Sequence, residues 1–82
     1  MNEKEIERGK VYLCTIDGTL VQCVVRWPQG GGYWFVHRWR PTTQKFTGYV
    51  IEARLVEYRA MPKNEAVILK RFATWKKAND AA

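Results

Sequence analysis

Few residues in this chain are able to do covalent chemistry. Serine is absent, His37 is the only histidine, and the cysteines are Cys14 and Cys23. Nucleophilic or acid–base catalysis needs such a group partnered and positioned by others, and no spacing here supplies that. Glu52 and Glu57 are a candidate carboxylate pair, but on an extended chain they point to opposite faces, roughly 16 Å apart. Two cysteines and one histidine fall short of a zinc site in number and spacing. Gly30, Gly31 and Gly32 are followed by neither a Lys-Ser/Thr pair nor a helix, so they do not match a phosphate loop. The expectation is a protein that is not an enzyme and carries no metal or cofactor.

Binding chemistry is better represented. Arg26, Arg38, Arg40 and Lys45 gather around two loops, with Trp39 and Tyr33 among them. Cations neutralise phosphates and aromatic faces accept bases, a combination that serves single-stranded nucleic acid. The six residues are therefore the candidate site for nucleic acid or an acidic protein partner. The same residues also read as solubilising arginines around a small aromatic core, and composition does not separate the two. Lys63, Lys70, Arg71, Lys76 and Lys77 further along are either backbone contacts or a solvated helix face.

The elements that must position these residues belong to one small domain. The chain has 82 residues, a formal charge of +6 and 13% aromatic residues, including four Trp. A globule of this length has a radius of gyration of roughly 12 Å, too small for a deep cofactor cavity. Residues 1–8 are charged and lack the apolar stretch of a signal sequence, and no apolar run approaches the roughly 18 residues of a membrane span. A cytoplasmic protein with no membrane partner is expected, with both thiols reduced.

Asp17-Gly18 is a strong signal for a two-residue hairpin turn, which needs positive φ at both central positions. It pairs Ile16 with Thr19, Cys14 with Val21 and Tyr12 with Cys23. The cysteines then lie diagonally, about 7–8 Å apart at Cα, beyond usual disulfide reach. Strands are predicted over residues 11–16, 19–27, 33–40 and 46–51, with Pro28 ending the second. Residues 52–58 continue the fourth or form a 3₁₀ turn and a short fifth strand. On the third strand Tyr33, Phe35, His37 and Trp39 alternate with Trp34, Val36, Arg38 and Arg40, and alternation leaves open which set is buried.

Pro62 changes the period. Ile68, Leu69, Phe72 and Trp75 share one face of a predicted amphipathic helix over residues 62–78, with Asn64 as its N-cap. Both faces of the first hairpin carry apolar residues, so the helix is expected to cover one of them. The domain is thus residues 1–82: sheet over 9–59, helix over 62–78, and flexible ends at 1–8 and 79–82. The fold class is α+β, mainly β, a strongly curled four- to five-stranded antiparallel sheet or barrel with a C-terminal helix.

From Gly9 to Arg59 the chain resembles an SH3-like small barrel. The resemblance lies in the tight first hairpin, the aromatic third strand Tyr33-Trp34-Phe35-Val36 and the closing Ile51-Glu52-Ala53-Arg54-Leu55-Val56-Glu57. It covers about three-fifths of the chain and implies a 3₁₀ crossover into the last strand. The paired tyrosines and acidic loop of signalling SH3 domains are missing, so binding of proline-rich peptides is not carried over. Such barrels serve nucleic-acid binders and subunit adaptors alike. The function expected is a non-enzymatic nucleic-acid-binding module. The alternative is a protein–protein adaptor or inhibitor of the small phage or plasmid type, with homodimerisation through an edge strand.

Overall fold

Asp17 and Gly18 take φ of 53° and 75°, the left-handed pair that a two-residue hairpin turn requires. They join β1 (Val11–Ile16) to β2 (Thr19–Gly30). The register is the expected one, with Ile16 opposite Thr19, Cys14 opposite Val21 and Tyr12 opposite Cys23. Both thiols are free and buried. A hydrogen bond with Cys14, followed by burial, pushes the Cys23 thiol far above its ordinary range.

The computed structural model describes residues 1–80. β3 (Tyr33–Arg40), β4 (Lys45–Glu52) and β5 (Val56–Arg59) complete an antiparallel five-stranded sheet ordered β4-β3-β2-β1-β5. The turn before β5 is 3₁₀, Ala53–Leu55. β4 and β5 are the two edges, and no ladder joins them. β2 does not stop before Pro28. Pro28 pairs with Trp34 between two register shifts, where β2 has run past the end of β1 and an absent N–H is tolerated.

The sheet buries side chains on both faces. Tyr12, Cys14, Cys23, Val25, Trp34 and Val36 belong to one cluster. Val11, Val24, Trp39 and Phe46 form the other, closed by Ile68 and Phe72 of α1 (Pro62–Asp80) with Leu69 and Trp75 at its margin. The helix therefore covers one face, as its apolar stripe requires.

Three expectations about the ends of the chain and of the helix are corrected. Residues 1–8 are docked: a 3₁₀ turn at Glu3–Glu5 leads to Ile6, which is buried in the first cluster. The Met1 nitrogen donates to the carbonyls of Ala53 and Val56, and the Trp34 indole N–H donates to Glu3 O at 3.3 Å. A buried indole needs such an acceptor, and this face needs a cover. Asn64 is not the N-cap, because the helix already begins at Pro62, a position that suits proline's fixed φ. Of the end at 79–82, Asn79 and Asp80 are helical, and residues 81–82 lie outside the described residues.

Candidate nucleic-acid interface

The six expected site residues do not form one patch. Cys23 faces Arg38 across the ladder and Arg40 faces Lys45, which puts these three cations on the face of the first core cluster. Arg26 lies on the helix face, its guanidinium carbon 4.8 Å from the Phe72 ring centre and 5.4 Å from that of Trp27. Trp39 is only 4% exposed. Its ring packs on Phe46 at 4.9 Å and lies beneath the Arg71 guanidinium. Its face is therefore not open to a base. Tyr33 is exposed at the start of β3, beside a hollow shared with Gly32, Glu52 and Arg54.

A different aromatic surface stands open. The register shift between Val25 and Trp27 makes β2 bulge at Arg26, and a bulge breaks strict alternation. Trp27 consequently joins Arg26 on the helix face and stacks on Phe35, with ring centres 4.8 Å apart and planes 26° apart. Strict alternation places Trp27 on the opposite face with Val25, which is why residue spacing alone misses it. Trp27 keeps 38% of its surface exposed. Beneath it the space for Phe35 is made by Gly48, where a Cβ would come within 2.8 Å of the ring.

His37 continues the row. Its ring meets Phe35 edge-on at 5.0 Å and approaches Trp75 at 5.4 Å. Its Nδ1 lies 3.2 Å from Arg26 Nη1. Arginine can only donate, so Nδ1 accepts and the ring proton of the neutral form sits on Nε2. Burial first, then the charges of Arg26 and Lys76, push the imidazole below its ordinary value of 6.5. At neutral pH this surface therefore carries Arg26 and Lys76 as its cations, with exposed Trp27 over Phe35 between aromatic neighbours.

The opposite face holds a second group of cations. Arg40 Nε donates to Thr47 Oγ1 at 2.9 Å, and its Nη2 donates to the Tyr49 hydroxyl. Arg38 Nε is buried without a hydrogen-bond partner. From Gly18 to Ile51 the chain has no Asp or Glu. Among the described residues, ion pairs form only at Arg54 and Arg59, leaving the cations of both surfaces without a carboxylate partner.

Compared with protein-family models, with curated proteins and with solved structures, the chain matches none.

Proposed function

We propose that this chain is a non-enzymatic binding module for single-stranded nucleic acid, acting through Trp27, Phe35, Arg26 and Lys76. The observation that carries the reading is an exposed indole stacked on a second ring beside cations with no internal counter-ion. A base stacked on an aromatic side chain contributes roughly 1–3 kcal/mol whatever its identity, and phosphate contacts supply the remainder. Fluorescence anisotropy with labelled oligo-dT and oligo-U at low salt tests this. Trp27→Ala should weaken binding by about tenfold or more, while Tyr33→Ala should change it little. Failure of both oligonucleotides to bind sinks the proposal.

The chain path belongs with the same reading as an SH3-like, curled barrel. Edges of a flat five-stranded sheet lie about 19 Å apart. Only Ala53–Leu55 separates β4 from β5, a connection reaching at most about 14 Å when extended. That mismatch supports strong curling, and the 3₁₀ turn before Val56 supports the crossover. An adaptor or inhibitor that binds an acidic protein, or a homodimer through β4, is the second reading. It is favoured by the free outer edge of β4, where Val50 is 55% exposed. Binding that ignores salt, or a mass that rises with concentration in light scattering, would select it. Among the described residues no helix is long and apolar enough to cross a membrane.

A further inference from the structure

Between α1 and the β3–β4 turn lies a hollow of about 470 Å³ that meets the Trp27 row only at Trp75 and contains none of Trp27, Phe35, Arg26 or Lys76. That volume is within the range of small-molecule sites, roughly 300–1,000 Å³. Its apolar wall is made by Val67, Trp75 and Ala78, with the nearly buried Trp39 behind them. Val67 remains 42% exposed although it is aliphatic and sits on a helix with a buried face available.

The polar part of the hollow is of one sign. Lys70 and Arg71 line it and no carboxylate does; α1 carries no Asp or Glu between Glu65 and Asp80. The Arg71 guanidinium is held over the Trp39 ring, 5.2 Å from its centre, and forms no ion pair among the described residues. Gln44 lines the hollow from the β3–β4 turn. Its backbone takes φ of 56°, its N–H donates to Arg40 O, and its side-chain amide donates to Pro41 O. An apolar wall would take any greasy body, whereas the cations select for a negative group attached to it.

We infer that this hollow binds a compact amphipathic anion, an aromatic body bearing one carboxylate. The ring lies against Val67, Trp75 and Ala78, and the carboxylate is held by Arg71 and Lys70. The inference does not rest on nucleic-acid binding, because the residues are different.

The test is a ¹⁵N–¹H titration of the full chain with 2-naphthoate, compared with the uncharged 2-naphthamide. Saturable shifts are expected at the amides of Gln44, Arg71, Thr74 and Ala78, with Kd on the order of 1 mM or tighter. The naphthamide should bind about tenfold more weakly, as should naphthoate to Arg71→Gln, since each lacks one half of a charged hydrogen bond. Val67→Glu places a carboxylate on the exposed rim and should abolish binding with the spectrum otherwise native. Lys76→Gln, beside His37, should bind naphthoate normally. No saturation, equal affinity for the two probes, equal loss in Lys76→Gln, or shifts centred on Trp27 would each overturn the inference. Displacement of naphthoate by an oligonucleotide would also overturn it, by making the hollow part of the nucleic-acid surface.

Discussion

Trp27 exposes 38% of its surface and Trp39 only 4%, so the same truncation should read out differently at each. Trp39→Ala removes a ring packed on Phe46 and should cost about 3–5 kcal/mol of stability, measured by urea denaturation. Trp27→Ala should cost far less stability and instead weaken oligonucleotide binding. Gly48→Val drives a branched side chain into the space of Phe35. Overpacking of this kind costs about 1–3 kcal/mol, and it should lower the thermal midpoint while tilting the ring that supports Trp27. His37 gives a pH test. Its folded value is depressed, so the unfolded chain binds more protons as pH falls below about 6.5. Stability from this residue is present above that pH and declines as pH falls. His37→Phe should flatten stability between pH 7 and 5, and an NMR titration of the ring should find its midpoint below 6.5.

At the scale of elements, α1 is tied to the sheet by its apolar stripe and by one carboxylate. Glu65 Oε2 accepts from the Val11 N–H at 2.8 Å and from Arg59 Nε at 2.7 Å. Hydrogen bonding from Arg59 leads the causes that pull this carboxyl from 4.5 down to about 2. A depressed acid contributes stability that is complete above its unfolded value and lost as pH falls toward the folded one. Glu65→Gln should therefore reduce stability at pH 7 and remove part of the acid destabilisation between about pH 4.5 and 2, read from denaturation midpoints across that range. Phe72→Ala, at the centre of the stripe, should cost about 3–5 kcal/mol and loosen Arg26, whose guanidinium rests on that ring. The start of the helix follows from Pro62 and the change of period, whereas its run through Asn79 and Asp80 does not. The docking of residues 1–8 does not, because Ile6 is a single apolar residue in a charged stretch and only the uncovered sheet face gives it a partner.

Over the whole molecule, charge is segregated along the chain. The acids flank a stretch from Gly18 to Ile51 that contains only cations, and folding divides those cations between two faces of the sheet. Each cation that meets a phosphate should contribute about −0.7 to the slope of log K against log salt for a single strand. Arg26 and Lys76 together should give about −1.4, and Arg26→Gln should reduce the slope by about 0.7. If Arg38→Ala and Arg40→Ala reduce it equally, the nucleic acid spans both faces and the Trp27 surface is only part of the site.

What the residues determine by themselves is local. Asp17-Gly18 sets the first turn, and because side chains alternate with a period of two, that turn sets the β1–β2 register and keeps the two thiols diagonal. Pro62 and the stripe of Ile68, Leu69, Phe72 and Trp75 set the helix and its buried face. The tertiary structure decided which aromatics are available. Trp39 and Trp27 look alike in the sequence, but the helix crosses above one, and a bulge at Arg26 turns the other out beside Phe35. Coverage by a distant element and a one-residue slip in a ladder are both settled by packing across the sheet, where no spacing rule along the chain reaches.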